Sequence, residues 1–501
     1  MSITKGIDNS SIKKGTILFI MILGVSLAAL NQTIMIVAIP ELMIDLDVSA
    51  SIAQWLTTGY MLVNGVMIPV TAFLMQRFTT RELFQSSMLL FLVGTIISAI
   101  AANFPVLLTG RLIQAAGAGI MIPLLMNVVF ALFPANKRGG VMGTISLPII
   151  FAPAFGPTLA GYILVNYPWK IMFYGMLPLV VVVIVLGYYC LKNVSERVDV
   201  KLDMVSVILS TIGFGAMLYG FSRAGTEGWL NIEVLISLIV GMLGLLLFTR
   251  RQLTSERPFL DLRAFRNHMF SLTTIINIAI TIVMFADMML LPLYLQNARD
   301  FSAMETGLLL LPGTLLMGFL MPITGKLFDR YGAKWLCIIG IIIIIATTLS
   351  FVNLTSSTSY IFLMLLSTGR RIGMALIITP IQTAGLNQLP SKLYAHGIAI
   401  SNTIRQVAGA VGTSLLVTIM VNRTTAHLSE AIAEDKVDTV TQNLMIEASI
   451  QGTNDAYFVV LVFALLALLL SFFIKRVHTA TNEEREPAMK WVPGKKSQIQ
   501  E

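Results

Sequence analysis

The feature that most constrains this chain is a succession of apolar runs of about 20 residues, the length that crosses a hydrocarbon core as a helix. Fourteen such runs can be placed, over residues 15–39, 51–74, 83–102, 106–133, 139–164, 171–192, 203–222, 233–249, 268–296, 304–327, 333–352, 358–388, 394–422 and 455–475. Only 12% of the 501 residues are charged and 56% are hydrophobic, whereas a soluble globule carries about 25% charge. Mean hydropathy is +0.82. These figures exclude a soluble domain and predict an all-α, multi-spanning membrane protein. The first run is too long for the core of a signal peptide, so it is expected to stay as a span.

Basic residues set the orientation. With the N-terminus inside, 25 Lys and Arg fall in cytoplasmic segments and five in outer ones, a bias that places both termini in the cytoplasm. The same distribution explains the net charge of +8 as membrane topology, so nucleic acid is not an expected partner. Cys190 and Cys337 lie in apolar runs and read as small core residues rather than a disulfide or a metal site. The longest outer loop, 423–454, is polar and acidic and is expected to hold a short surface helix. The tail 477–501 reads as disordered.

The chain also repeats itself. Pro322 to Lys334 echoes Pro69 to Arg81 at a constant offset of 253: Pro69 meets Pro322, Thr71 meets Thr324, Leu74 meets Leu327, Arg77 meets Arg330 and Phe78 meets Tyr331. The second copy carries Gly325, Asp329, Arg330 and Gly332, where the first has Gln76 and Thr79 opposite Asp329 and Gly332. Parallel repeats of this kind predict two halves, as in secondary transporters. The expected division is a six-helix half over 1–192, two extra spans and a basic linker over 193–267, and a second six-helix half over 268–476. An acid at position 329 is placed to cap the helix that follows it, over 333–352.

The fifth run is the most distinctive stretch. Gly143, Ala152, Gly156-Pro157 and Ala160-Gly161 recur on a helix that also holds Pro148 and Pro153. Small side chains allow helices to approach closely and prolines release carbonyls and bend the helix, so the residues alone fit tight packing or a moving element equally well. The spacing resembles the antiporter signature of the major facilitator superfamily, with alanines at 152 and 160 where that family prefers glycine. Gly325-Lys-Leu-Phe-Asp-Arg-Tyr-Gly332 resembles the family's loop signature. Leu30-Asn-Gln-Thr-Ile-Met-Ile-Val-Ala-Ile-Pro40 and Trp169-Lys-Ile-Met-Phe173 are similar to its fourteen-helix drug:proton antiporter branch, and Thr71 to Arg81 looks like the lincomycin-efflux type of Gram-positive bacteria. The resemblance implies a major-facilitator bundle of fourteen helices. It also implies that the loop residues Arg77, Gly325, Asp329, Arg330 and Gly332 hold the halves together. One departure matters: the branch usually has aspartate where this chain has Asn31, which cannot carry a proton.

The deep polar residues therefore carry the argument. Asp287 is the one acid well inside a run, where an ionisable group is costly and functional by default; the alternative is a structural acid paired with an arginine. At the repeat offset it falls opposite Ile34, one turn from Asn31. Arg111, with Gln114 on its face, matches an arginine that the resemblance implicates in proton transfer; the alternative is a polar clamp. Arg370 and Arg371 occupy the related place in the second half. Asn31, Tyr60, Asn64, Gln114, Tyr294, Asn402 and Arg405 offer polar or aromatic contacts for a ligand, and the 28 methionines suit a pocket that repacks.

With no Gly-x-x-x-x-Gly-Lys-Ser/Thr loop, an ion gradient must supply the energy. The expectation is a proton-coupled multidrug efflux antiporter in a bacterial plasma membrane, monomeric, needing no cofactor or metal, and exchanging amphipathic substrates for protons. Export of a native metabolite, lipid or antibiotic on the same fold is the alternative. An integral-membrane enzyme is excluded because His268, His396, His427 and His478 lie at run ends or in polar segments, with no carboxylate at catalytic spacing.

Overall fold

The computed structural model describes residues 14–194, 203–255, 258–435 and 442–475; the tail beyond 476 lies outside them. Sixteen α-helices follow in order: α1 Lys14–Asp45, α2 Ala50–Ala53, α3 Trp55–Arg77, α4 Thr80–Ala99, α5 Phe104–Leu132, α6 Arg138–Ile145, α7 Leu147–Asn166, α8 Lys170–Cys190, α9 Met204–Glu227, α10 Ile232–Thr254, α11 His268–Leu293, α12 Ala303–Tyr331, α13 Ala333–Phe351, α14 Tyr360–Asn387, α15 Tyr394–Asp435 and α16 Gln442–Ser471. Thirteen of these are long and apolar enough to cross a membrane. The fifth expected span is the fourteenth crossing, broken into α6 and α7 at Ser146. Pro148 lacks the N–H that would bond the Thr144 carbonyl, so the ladder parts there.

Successive crossings alternate in direction, so the starts of α1, α4, α6, α9, α11, α13 and α15 share one end of the bundle with most of the basic residues. We call this the basic end. Local chemistry fixes the helix starts: Thr79 with Glu82 and Ser302 with Glu305 form capping boxes, and Asn103, Asp203 and Asn267 accept from first-turn N–H groups. Gly332 ends α12 at φ +81°, a conformation that favours glycine. Its repeat counterpart Thr79 is extended and capped instead. Pro134 and Pro390 each open a 3₁₀ turn, Ala135–Lys137 and Ser391–Leu393, before α6 and α15, a repeat that residue matching alone does not reveal.

One apolar core is built mainly on α1, α3, α4, α5 and α8 and runs on into α6, α10, α11, α14 and α15, and a second lies among α11 to α16. The two sets meet along two seams: α12 lies against α6 and α7, and α15 against α3 and α5. The pair α9–α10 packs backbone to backbone, with a Cβ at Gly213 or Gly241 meeting Leu245 N at 3.0 Å or Met217 N at 2.7 Å. It leans on the second seam through Trp229, whose Nε1 donates to Thr418 Oγ1 at 2.7 Å, and through Trp55 stacked on Tyr219. At the basic end, Arg251 donates to both Asp203 oxygens at 2.8 and 2.9 Å. With help from Ser206, that bond holds the Asp203 carboxyl down at about 2.

The polar segment 423–454 departs from expectation. It contains no separate surface helix among its described residues; α15 runs on to Asp435 and α16 begins at Gln442. With 42 residues, α15 is about 63 Å long, roughly twice a hydrocarbon core. Hydropathy stops at the membrane edge, but helix propagation does not. The extension pairs with α16 through Arg423 and His427, which reach Asp455 at 2.5 and 2.9 Å.

Candidate functional site

The first cluster is built around Asp287 on α11, 2% exposed. It faces α14, where Gly369-Arg370-Arg371 presents two guanidiniums. Arg370 Nε lies 3.7 Å from Oδ1 and Arg371 Nη2 lies 3.5 Å from Oδ2. These are ion-pair contacts longer than hydrogen bonds. Asp287 Oδ1, Arg370 Nε and Arg370 Nη1 have no hydrogen-bond partner among the described residues. The guanidinium of Arg370 also sits 5.7 Å from the Phe351 ring and 5.5 Å from Tyr457, and its Nη2 donates to the Val283 carbonyl at 3.2 Å. One carboxylate thus ties α11 to α14, with an aromatic shelf on α13 and α16.

The second cluster occupies the related place in the other repeat. Arg111 on α5 is fully buried. Its Nη1 donates to Asn31 Oδ1 on α1 and to Gln114 Oε1 at 2.9 Å, and the Tyr60 ring on α3 lies 4.3 Å from the guanidinium carbon. Gln114 in turn donates to Thr95 at 2.8 Å, and Asn31 donates to the Met176 sulfur at 3.2 Å. The plan is the same in both halves: a buried arginine of the fourth span reaches a polar residue of the first. Its partner is an amide in one half and a carboxylate in the other.

The third assembly closes the basic end. Asp329 sits in the last turn of α12, and its carboxylate does not cap α13 as the sequence suggests. It accepts from Gly139 N and Gly140 N at 2.8 Å each, capping α6 across the seam, where the helix dipole favours an anion. Gly139 and Gly325 pack backbone to backbone, and a Cβ on Gly143 would strike the Met321 carbonyl. Arg138 continues the closure, donating to Asn387 Oδ1 at 2.9 Å and Tyr394 hydroxyl at 3.1 Å. The repeat counterpart of Asp329, Gln76, meets His396 at the start of α15, 3.1 Å away. Each repeat therefore reaches the fifth span of the other, once with a carboxylate and once with an amide.

A scan for known families matches residues 21–413 to the model described as "Major Facilitator Superfamily". The chain belongs to the Major Facilitator Superfamily. The uncharacterized facilitator-type transporter YcnB of Bacillus subtilis is 45% identical over 96% of this chain and 99% of that protein. The lincomycin resistance protein LmrB of the same organism is 42% identical over 89% of this chain and 93% of its own length. Among solved structures, the proton:xylose symporter XylE aligns at a TM-score of 0.63 over 93% of this chain and 97% of that one, at 14% identity, which speaks for the fold alone. The protein is a facilitator-type membrane transporter rather than an enzyme, and its relatives place it in a bacterial plasma membrane.

Within this facilitator the remaining site residues divide. Asn402 donates to the Met126 sulfur of α5 at 3.3 Å and accepts from Arg405 at 3.1 Å, so both lie on the α15 seam. Asn64 is half-buried on α3, its backbone against Gly119. Tyr294 is buried, but its hydroxyl donates to the Thr355 carbonyl at 2.6 Å, tying α11 to the loop after α13 instead of facing a ligand. Gly156 abuts Thr33 of α1, whereas a Cβ on Gly161 would meet nothing within 4 Å, so close approach accounts for Gly156 and not for Gly161. Pro153 and Pro157 fall inside α7, with side chains outside the described ones. Arg77 is exposed at the end of α3, and Arg330 lies over the Tyr331 ring at 5.2 Å. Sequence reasoning missed Tyr457, Phe351, Arg138, Asn387 and Tyr394. The last three are ordinary polar residues at span ends whose partners come from the other repeat.

Proposed function

We propose that this transporter is a proton-coupled exporter of amphipathic drugs, of the fourteen-helix drug:proton antiporter branch. In this reading the basic end faces the cytoplasm, residues 1–192 and 268–476 rock against each other, and α9–α10 flank one seam. The observation that carries it is Asp287, buried between Arg370 and Arg371 with its oxygens at ion-pair distance and incompletely hydrogen-bonded.

A carboxylate so placed converts a proton into mechanical work by simple electrostatics. Ionised, it attracts both guanidiniums and draws α11 to α14. A proton arriving on it cancels that attraction and leaves two cations to find other partners. The basic end is shut by Asp329 on α6 and by Arg138 on α14 and α15, so the described conformation corresponds to a cytoplasmic gate that is closed. Proton loading from the outer side and drug release to the same side would precede its opening. The name of the lincomycin-resistance relative supports an amphipathic drug as substrate.

The test is transport in proteoliposomes with an imposed pH gradient. The wild type should concentrate a drug against its gradient, while Asp287→Asn should exchange it downhill only. Equal uphill transport by both would assign Asp287 a structural role.

A further inference from the structure

We infer that the Arg111–Tyr60–Asn31 cluster is an anion site, and that it takes the acidic group of an amphipathic substrate. The inference deepens the transport reading above and rests on it for access, since the cluster is closed over in the described conformation.

The first argument is charge. Deep in the spans the described Asp, Glu, Lys and Arg residues are Arg111, Arg370, Arg371, Arg405 and Asp287. Four cations face one anion. Asp287 is shared between Arg370 and Arg371, so none of its charge is left for Arg111 on the other repeat. Every group that touches Arg111 is neutral: Asn31 and Gln114 amide oxygens, the Leu56 carbonyl at 3.5 Å and the Tyr60 ring. An ion in such a low-dielectric place is costly to keep without a counter-ion.

The second argument is unused donors. Arg111 Nη2 and the Tyr60 hydroxyl are both buried and both lack a hydrogen-bond partner among the described residues. They belong to groups stacked 4.3 Å apart. A guanidinium N–H and a phenol O–H on such neighbouring groups suit a carboxylate, sulfonate or phenolate, whose oxygens accept from donors of both kinds. The third argument is the repeat. Where the second half supplies Asp287 from the first span of its bundle, the first half supplies Asn31, which bonds the arginine without neutralising it. A ligand can then bring the negative charge that the amide at 31 does not supply.

The matched probes are 1-anilinonaphthalene-8-sulfonate and its sulfonate-free parent N-phenyl-1-naphthylamine, titrated by fluorescence into the protein in nanodiscs, with empty discs as reference. Asn31→Asp keeps the shape of the site and places a carboxylate on Arg111. It should weaken sulfonate binding about tenfold and leave the neutral probe within about twofold of wild type. Arg111→Lys keeps the charge but loses the fork and should fall between. Monodisperse elution and an unchanged melting temperature establish that each variant is folded. The inference is overturned if the wild type does not bind the sulfonate above the empty discs. It is also overturned if Asn31→Asp binds the sulfonate like wild type, or if both probes weaken together, which marks Arg111 as a clamp between α1 and α5. Because the titration uses no gradient, its failure leaves proton-coupled export to be decided by the Asp287 transport test.

Discussion

Removing the Asp329 carboxylate should open the basic end of the bundle. The carboxylate accepts from Gly139 N and Gly140 N at 2.8 Å each, in the position an N-cap side chain takes, but from a helix in the other repeat. Loss of a cap costs about 1 kcal/mol, and hydrogen bonds to a charged group contribute about 1.5–3 kcal/mol. The two figures describe the same bonds, so about 2 kcal/mol is a fair value for Asp329→Ala. These bonds can exist only while α12 and α6 are together. The ratio of closed to open basic end should therefore fall about 30-fold. Asp329→Asn keeps one acceptor without the charge and should give about a fivefold fall. Spin labels on cysteines at Phe78 and Tyr331, both exposed at this end and on opposite repeats, would report it by pulsed dipolar spectroscopy, with Cys190 and Cys337 replaced. A longer-distance population should appear in Asp329→Ala and grow less in Asp329→Asn. Superimposable distance distributions in folded wild type and Asp329→Ala would refute the latch.

Three further outcomes are expected. Gly156→Leu should abolish drug efflux with near-normal membrane insertion, because the added side chain drives into Thr33, whereas Gly161→Ala should transport normally; cell-based efflux of both variants, scored against membrane abundance, checks this. A cysteine at Glu430 should react with an impermeant thiol reagent from outside intact cells, and one at Pro258 should not; the reverse pattern would invert the orientation. Asp203 is held at about 2, below its ordinary 3.8, so its bond to Arg251 stabilises the α9–α10 pair above pH 4. That contribution is lost as pH falls from about 4 through 2. The melting temperature of wild type should exceed that of Asp203→Asn at pH 6, and the gap should close over that window.

What the sequence made legible was whatever depends on local hydropathy or on matching residues. The spans, the two loop copies and the deep groups Asp287 and Arg111 could all be read from it. Gly325 and Gly332 stood out through the loop signature alone; the structure gives the first a close backbone approach and the second a positive φ. What it hid depends on which surfaces meet. Asp329 stands before α13 in the chain, so a local rule hands it to that helix, yet α6 is the helix whose N–H groups face it. Arg370 and Arg371 are adjacent in the chain, and nothing local shows that both reach Asp287, from opposite oxygens. Tyr294 shares a helical face with Asp287 by spacing, but the carbonyl of Thr355 in the loop after α13 claims its hydroxyl. The polar extension of α15 and α16 was missed because polar residues there read as loop, although Arg423 and His427 of one pair with Asp455 of the other. The two repeats also differ in a way that only the structure organises: Asn31 against Asp287, and Gln76 against Asp329. In each pair the first repeat keeps the hydrogen bond and gives up the charge.

The central claim is that Asp287 couples protons to export, and one measurement addresses it directly. Wild type and Asp287→Asn are reconstituted into proteoliposomes, with the melting temperature and gradient-free drug binding of each recorded first. Drug accumulation is then followed with and without an imposed pH gradient. The account predicts that the variant binds drug and equilibrates it across the bilayer, but that the gradient adds nothing to its accumulation while raising that of wild type. Gradient-driven accumulation by Asp287→Asn equal to that of wild type would contradict it, and would leave Asp287 as the structural tie between α11 and α14.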